Sequence, residues 1–553
     1  MSESPKPSRS LANIAGIVAI ATLLSKVFGL FRQVAIAAAF GSRPAYGAYN
    51  FAYVIPGFLL ILLGGINGPF HSAMVSVLAK RKREEIAPIM ETINTLVVSV
   101  LLLVTIGLIV FAEPLMHVVA PGLFLTAEQV AQSGDPTAFP VLQQTREIAI
   151  LQFRIMAPMA MLAGLIGVGF GALNAADQYW LPSISPLFSS VAVLAGLGGL
   201  AFYLGDKILL PEYAVLGGAV LAATTLAGAL LQWLVQLPAQ WRSGLGGLRL
   251  RFNFRQPEVQ EVIKIMIPAT FSSGMMQINV WTDLFFASFI PNAAAAVSAM
   301  GYAGLLVQTP LGILSNVILV PLLPLFSKLA DPADWPELKG RIRQGLLMTA
   351  IAMLPISALM IALAVPISRV VYERYAFTAE DSYLTSSVLI AYSVGMFVYL
   401  GRDVLVRVFY ALGDGDTPFR ISIFNIFLNA LLDFLLYKPF GAPGLVLATV
   451  GVNLISMITL LWFLNRKLNG LPLREWGLPL AALTLISGVT GLAAWGTLQG
   501  LEQLWGNKGF WVYLAQLCGA GAIGLAVFVA LVSRLRLPEV QEFTSRIRQK
   551  LAR

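Results

Sequence analysis

Long apolar stretches follow one another along nearly the whole chain and limit what it can fold into. A helix needs about 20 predominantly apolar residues to cross a bilayer. About fourteen stretches meet that length. They lie near residues 11–38, 47–78, 88–112, 147–174, 183–204, 214–237, 259–290, 294–326, 345–367, 384–411, 419–437, 443–464, 476–498 and 510–533. The period-2 alternation of a membrane β-barrel is absent from them, so we predict an all-α polytopic membrane protein.

The composition agrees with a membrane protein. Of 553 residues, 57% are hydrophobic and 12% are charged, with a mean hydropathy of +0.78, whereas soluble domains carry about 25% charged residues. Several stretches are too long for one straight crossing, so we expect tilted or kinked helices. Pro56, Pro310 and Pro418 are predicted to break or bend theirs. The single Cys518 excludes a disulfide framework.

Basic residues predict the orientation of the chain in the membrane. They follow the second, sixth, eighth and twelfth predicted spans, at Lys80–Arg83, Arg242–Arg255, Lys328–Arg343 and Arg466–Arg474. These loops share one side if both termini are cytoplasmic, and the acidic loop Glu113–Arg146 then lies outside. The net charge of +9 is therefore explained by topology and contact with anionic lipid head groups. We expect no nucleic-acid partner, because the basic groups are spread over short loops.

A faint internal repeat predicts the domain organisation. Ala39-Phe40-Gly41 and the following residues resemble Ser288-Phe289-Ile290 and its followers, about 250 positions later. Two repeated helical bundles are the layout of secondary transporters. The predicted parts are a six-helix lobe at 1–240, a cytoplasmic linker at 241–256, a second six-helix lobe at 257–468, two further helices at 469–535 and a basic cytoplasmic tail at 536–553.

Residue patterns of enzymes are missing from the sequence. It has no Gly-x-x-x-x-Gly-Lys-Ser/Thr loop for ATP and no supported nucleophile set. Its two histidines, His71 and His117, are interpreted as ordinary polar or interfacial residues. The small residues of Gly164–Gly171 are interpreted as a site of close helix packing. These absences favour a transporter over an enzyme.

Polar residues inside apolar spans mark the candidate sites. Asn429 and Asp433 are four residues apart and share a helix face, while Thr449 lies in the next span and Asp283 in the seventh. Carboxylate, amide and hydroxyl oxygens suit a small hard cation such as sodium. The alternative is a hydrated Asp433 near the helix end, with Asn429 in a packing hydrogen bond.

Cationic residues form a second candidate site. Lys26 and Arg32 lie on the first span, and Arg402 and Arg407 lie on the tenth. Arginine suits phosphate through its planar fork, so these groups can hold an anionic head group. In the alternative, Arg32 and Arg407 extend to the membrane interface, and Arg402 pairs with Asp403.

Several motifs resemble one transporter family. They are Leu24–Arg32 with Ala39–Gly41, then Leu389–Gly395, Arg407–Asp414 and Asp416–Pro418. Over about residues 8–535 the chain resembles the MurJ (MviN) family of lipid II flippases, within the superfamily of multidrug and oligosaccharidyl-lipid exporters. The resemblance implies two six-helix lobes around a cationic cavity, and a groove at helices thirteen and fourteen for the undecaprenyl tail.

The resemblance also implies a function and its partners. Lipid II moves from the inner to the outer leaflet of the bacterial inner membrane by alternating access, driven by membrane potential, and some members bind sodium. The implied partners are lipid II, membrane lipids and cell-wall synthesis proteins, and the one implied cofactor is sodium.

The resemblance assigns site residues one by one. Arg32, Lys26 and Ser298 match polar cavity positions, and Asp283, Asn429, Asp433 and Thr449 match the sodium site. The sequence departs from the family at three positions. A second-helix arginine appears as Leu60, an acidic residue as Gly47, and an Asp-Arg pair of the eighth helix as Gly304-Leu305. Arg402, Arg407 or Lys26 would then compensate for the missing charge.

Three other functions stay open at this stage. The first is a flippase for another undecaprenyl-linked glycan, which the missing eighth-helix arginine favours. The second is a drug or cation antiporter of the same superfamily, whose cavity would favour cations and be acidic. The third is a cell-wall assembly scaffold that does not transport.

Overall fold

A computed structural model of the chain describes residues 11–65, 68–81, 83–132, 138–275 and 278–535. Within those ranges every regular element is helical, which confirms the predicted all-α class. The chain divides into two compact units, Met1–Ser298 and Ala299–Arg553.

Among its described residues, the first unit contains fourteen α-helices and the start of a fifteenth. They are α1 (Leu11–Phe40), α2 (Pro44–Gly64), α3 (Pro69–Leu78), α4 (Arg83–Val110), α5 (Ala112–Val119), α6 (Ala127–Gln132), α7 (Phe139–Met156), α8 (Met159–Ala175), α9 (Trp180–Ile184), α10 (Pro186–Leu204), α11 (Ala214–Leu234), α12 (Gln236–Arg242), α13 (Pro257–Met275), α14 (Ile278–Ala287) and α15 (Ala293–Lys328).

The second unit holds the rest of α15 and the remaining helices. These are α16 (Trp335–Ala362), α17 (Ala364–Tyr372), α18 (Ala379–Val394), α19 (Met396–Ala411), α20 (Asp416–Lys467), α21 (Leu473–Trp505) and α22 (Phe510–Val532). Short 3₁₀ turns lie at Pro121–Phe124, Gly205–Leu209, Pro211–Tyr213, Pro332–Asp334 and Ser533–Leu535.

Twelve segments of the described chain are long and apolar enough to cross a membrane. One of them, α20, contains two predicted spans, because Gly441 takes a left-handed conformation (φ 58°, ψ −138°) in its middle. The predicted seventh span is covered by α13 and α14. With these two additions the helices agree with the predicted count of about fourteen.

The two halves of α20 fold back on one another at Gly441. A Cβ atom on Gly444 would lie 2.2 Å from the carbonyl oxygen of Leu436, and one on Gly451 would lie 3.2 Å from Cδ1 of Leu432. A continuous helix would separate such residues by more than 10 Å at about 1.5 Å per residue. The halves therefore form an antiparallel helical hairpin, with residue 436 level with 444 and 432 level with 451.

Large apolar side chains are exposed on the long helices. Leu103, Phe202 and Leu485 have 70%, 95% and 73% of their surface exposed. Apolar exposure on this scale is unfavourable in water, whereas lipid tails cover it in a bilayer. Cys518 is exposed in the same way on α22.

Glycines let α8 pack closely in the core of the first unit. A Cβ atom on Gly167 would lie 1.8 Å from the carbonyl oxygen of Leu63, and one on Gly171 would lie 2.7 Å from that of His71. The prediction of a close-packing segment at Gly164–Gly171 is thereby confirmed. His71 Nε2 is 2.7 Å from Asn174 Nδ2, which is an ordinary polar contact.

Prolines occupy the predicted helices without ending them. Pro56 lies inside α2 and Pro310 inside α15, both of which continue past the ring. Pro418 lies in the first turn of α20, where its missing N–H has no intrahelical partner to lose.

A buried carboxylate of α4 helps to hold the segment that follows α12, together with the Arg251 backbone N–H that donates to Thr95 Oγ1 at 3.0 Å. Glu91 of α4 is 5% exposed and accepts from Arg251 Nε at 2.6 Å and from the backbone N–H of Gly247 at 3.0 Å. At the start of α13, Glu258 and Glu261 pair with Arg81 at 3.5 and 3.4 Å.

The packing of the seventh span bears on the predicted lobes. Helix α13 packs against α3, and α14 packs against α5, so both lie within the first compact unit. The predicted lobes 1–240 and 257–468 and the helices at 469–535 remain predictions about the transport cycle. The predicted tail at 536–553 lies outside the described residues.

Candidate functional site

Arg32 is the central residue of the first candidate site. Helix α1 holds its side chain half-buried, and its Nε atom is buried with no hydrogen-bond partner among the described residues. The guanidinium lies within electrostatic range of the phenols of Tyr46, Tyr49 and Tyr53 on α2. A buried donor left unpaired is costly, so this arrangement favours an incoming acceptor over a role in packing.

Three tyrosines form a stack beside Arg32. The rings of Tyr46 and Tyr49 are 6.1 Å apart at 18°, and those of Tyr49 and Tyr53 are 5.3 Å apart at 15°. Tyr49 Oη lies 3.2 Å from Thr225 Oγ1 of α11, and Gln33 Nε2 donates to Tyr46 Oη. These tyrosines were not predicted as site residues from the sequence, although their spacing of three and four residues places them on one helix face.

The structure explains one of the departures from the family. A Cβ atom on Gly47 would lie 2.4 Å from the Cα atom of Ala294, because α2 crosses the start of α15 at this point. No acidic side chain fits in that crossing. At Gly304 a Cβ atom would lie 3.8 Å from the hydroxyl of Tyr392, which is ordinary contact. Leu60 packs against the apolar core of the first unit.

Two other predicted binding residues lie in contrasting surroundings. Lys26 of α1 is exposed and lies six residues before Arg32. Ser298 is fully buried, and its hydroxyl donates to the carbonyl oxygen of Ala294 at 2.7 Å. The Ser298 hydroxyl is thus occupied within its own helix.

The tenth-span arginines bond within the second unit. Arg402 Nε donates to Ser456 Oγ at 3.1 Å, and its Nη1 lies 3.7 Å from Asp403 Oδ1. The predicted pairing of Arg402 with Asp403 is therefore confirmed. Arg407 Nη1 donates to the carbonyl oxygen of Leu319 at 3.0 Å. A role for either arginine in substrate binding stays a prediction.

The predicted sodium ligands of the second unit come together in the α20 hairpin. Asn429 Nδ2 donates to Asp433 Oδ2 at 2.8 Å, and both side chains are at most 1% exposed. Asp433 is therefore buried, and the alternative of a hydrated carboxylate is wrong. The fold-back at Gly441 brings Thr449 level with Asp433.

One residue of this face escaped the sequence analysis. Asn425 lies one turn before Asn429, is 4% exposed, and its Oδ1 atom has no hydrogen-bond partner among the described residues. The four-residue interval to Asn429 was its available signal. Asp283, the fourth predicted ligand, is half-buried on α14 of the first unit. Within the described residues no three His, Cys, Asp or Glu side chains cluster as metal ligands.

A cavity of about 620 Å³ lies between α16, α17, α18 and α21. Arg369 is among its lining residues and is 8% exposed. Its guanidinium donates to Asn507 Oδ1 at 3.0 Å and to Tyr383 Oη at 2.9 Å. These contacts fix the α21–α22 turn to α18.

The motif residue Asp414 joins the two ends of α20. Its carboxylate accepts from the backbone N–H of Thr417 at 3.0 Å and from Lys467 Nζ at 2.7 Å. Partial burial acts to raise the pKa of Asp414, but the hydrogen bonds from Lys467 and Thr417 outweigh it and lower the pKa below its usual range. This part of the family-like motif therefore has a structural role.

Comparison with known proteins decides the family. The family model described as Lipid II flippase MurJ matches residues 36–515. A curated protein of Synechocystis sp., named a probable lipid II flippase MurJ, is 55% identical over 553 residues and is covered, like this chain, over 100% of its length. This chain belongs to the MurJ family. The resemblance drawn from the sequence motifs is confirmed, and the family is one of transporters, not enzymes.

Solved structures show the same fold. One titled Lipid II flippase MurJ, inward closed conformation, is 21% identical with a TM-score of 0.71, covering 94% of this chain and 98% of that one. An inward-facing multidrug resistance MATE family transporter of the MOP superfamily is 15% identical with a TM-score of 0.55, covering 82% and 98%. The MurJ fold of this chain is thus shared with a wider group of transporters.

Proposed function

We propose that this chain moves lipid II from the inner to the outer leaflet of a bacterial inner membrane. The observation that carries the proposal is membership of the MurJ family along nearly the whole chain. Lipid II carries a diphosphate on an undecaprenyl tail, so its transporter must neutralise an anion inside the membrane. It works as a secondary transporter, since the sequence has no ATP-binding loop.

Arg32 anchors the diphosphate in this proposal. Its buried Nε–H lacks an acceptor among the described residues, and a guanidinium donates to phosphate oxygens in a bidentate geometry. The phenols of Tyr49 and Tyr53 lie within electrostatic range of this guanidinium, and they are the proposed further donors. Lys26, six residues away and exposed, attracts the anion before it reaches Arg32.

Membrane potential and sodium bias the cycle of alternating access. A potential of 100 mV supplies about 2.3 kcal/mol per charge moved, enough to shift a conformational equilibrium by tens of fold. The proposed sodium ligands are Asp433, Asn429 and Thr449, together with Asp283. Both termini lie in the cytoplasm, as the basic loops predict, and the cell-wall enzymes that consume lipid II are the expected partners.

The test is replacement of a resident lipid II flippase by this chain. A bacterial host is depleted of its own flippase, the chain is expressed, and lipid II exposed at the outer leaflet is measured. We expect restored exposure that Arg32→Ala abolishes. Arg43→Ala is the matched control, because the Arg43 side chain is solvent-exposed and donates to the carbonyl oxygen of Leu209. This variant should leave the amount of lipid II at the outer leaflet unchanged.

Two results would contradict the proposal in different ways. Lipid II exposure that persists in Arg32→Ala would show that Arg32 does not anchor the diphosphate. No exposure from a membrane-inserted wild-type chain would favour a different undecaprenyl-linked glycan, the candidate suggested by Leu60 and Gly304-Leu305.

A further inference from the structure

Polar residues lie at matching levels along both halves of the α20 hairpin. The first half carries Asn425, Asn429 and Asp433 at four-residue intervals, all buried. The fold-back at Gly441 sets three polar residues of the second half at the same levels. The level pairs are Asp433 with Thr449, Asn429 with Asn453, and Asn425 with Ser456. We call this row of six residues the polar seam.

The polar seam is longer, along the helix axis, than one cation site requires. Asn425 lies about 12 Å from Asp433 along the helix axis, at 1.5 Å per residue, which is too far to share an ion with it. Yet Asn425 is 4% exposed and its Oδ1 atom is unpaired among the described residues. An unsatisfied amide oxygen in an apolar span is costly, and a passing cation would satisfy it.

A positive charge stands at the Asn425 end of the polar seam. Arg402 Nε donates to Ser456 Oγ at 3.1 Å, and Ser456 is 1% exposed. The same guanidinium lies 3.7 Å from the half-exposed carboxylate of Asp403. Arg402 thus has two neighbouring partners, one inside the seam and one at its edge.

We propose that the polar seam conducts sodium inward from Asp433 and that Arg402 closes its inner end. This inference rests on the sodium coupling of the proposed function. Asn425 lies nearer than Asp433 to the end of the hairpin that carries Arg466 and Lys467, the predicted cytoplasmic end. While the guanidinium bonds to Ser456, its charge repels a cation at Asn425. Its transfer to Asp403 opens the route.

The test measures sodium passage separately from sodium binding. The full chain is reconstituted in liposomes that contain a fluorescent sodium indicator, and an inward sodium gradient is imposed with a potassium diffusion potential. Binding is measured as the sodium-dependent rise in melting temperature of the purified chain. Arg402→Gln should raise passage several-fold, whereas Arg402→Lys, which keeps the charge, should stay close to wild type.

Substitutions in the polar seam separate its two stations. Asn425→Leu should retain the sodium-dependent melting shift but lose the passage gained in Arg402→Gln. Asp433→Asn should lose both. Arg466→Gln is the control, since Arg466 is exposed and stacks 3.9 Å over Trp462 near the end of the same helix, and it should change neither.

The results separate failure of the sodium inference from failure of the proposed function. Unchanged passage in Arg402→Gln, or full passage in the Asn425→Leu double variant, would overturn the inference, as would the absence of any sodium effect on the wild type. Failure to restore lipid II exposure with sodium passage intact would count against the proposed function alone.

Discussion

At the scale of single residues, the surroundings of Arg32 differ from the charge-rich cavity that the family resemblance predicts. Arg32 was found from the sequence because an arginine in an apolar span is conspicuous. The tyrosines beside it were missed, since aromatic residues are common in membrane helices and only packing shows which face they occupy. The proposed anion site therefore combines one guanidinium with a stack of phenols.

The hydroxyl of Tyr53 gives a prediction at this scale. Tyr53→Phe removes one potential donor to the diphosphate and keeps the ring stack with Tyr49. We expect transport to fall by about three- to tenfold, the effect of one hydrogen bond of about 1 kcal/mol. Lipid II exposure in the depleted host measures it, and Tyr203→Phe, which changes an exposed residue, is the control. Equal effects of the two variants would argue against a role for the hydroxyl.

Two glycines give a matched prediction about the departures from the family. Gly47→Asp forces a side chain into the crossing with Ala294 and should destabilise the fold by at least about 1–3 kcal/mol, the usual cost of overpacking. Gly304→Asp enters ordinary contact distance of Tyr392 and should yield folded protein. Size-exclusion profiles and melting temperatures of the two variants check this. A well-folded Gly47→Asp would show that α2 can move away from α15.

At the scale of elements, some features of α20 could be predicted from the sequence and others could not. Hydropathy located both of its spans, and the helical period placed Asn429 with Asp433. Which residue of the first half lies level with Thr449 depends on where the chain reverses direction. The sequence does not mark Gly441 as that point, because it has 49 glycines. Asn425 was missed for a related reason, because an asparagine's burial is decided by the helices around it.

The contacts of Asp414 with Thr417 and Lys467, at the two ends of α20, predict a pH dependence of stability. The pKa of Asp414 is lowered in the folded chain, so its contribution is present above the unfolded pKa of about 3.9 and is lost as pH falls through the folded pKa. Asp414→Asn should lower stability by about 1 kcal/mol at neutral pH and less at lower pH. Melting temperatures of the wild type and of Asp414→Asn, measured at neutral pH and at successively lower pH, should show the difference between the two proteins shrinking. A difference that stays constant as the pH falls would show that the Asp414 carboxylate contacts are not its cause.

At the scale of the whole molecule, hydropathy predicted the count and class of helices because lipid permits little else. It did not predict that α13 packs against α3 or that a buried carboxylate holds the segment after α12. Glu91 lies at the start of a long apolar run, where the sequence offers no sign of a partner 160 residues away. Such long-range pairs depend on the folded arrangement alone.

Glu91 carries the prediction at this scale. Glu91→Gln weakens the contacts to Arg251 and Gly247, so the segment 243–256 should detach more often while the helices stay folded. Limited trypsin digestion should then cut after Arg249, Arg251 or Arg255 several times faster than in the wild type. Glu84→Gln, at an exposed position of the same helix, is the control. Unchanged cleavage would place the anchoring of this segment elsewhere.

The exposed thiol on α22 makes this chain convenient for spectroscopy. Cys518 is the single cysteine of the sequence and is accessible. A thiol-reactive dye or nitroxide applied to the detergent-solubilised chain therefore attaches at one position without prior removal of other thiols. A second cysteine introduced in the first unit would give a distance pair, and its change with sodium or lipid substrate would follow the cycle molecule by molecule.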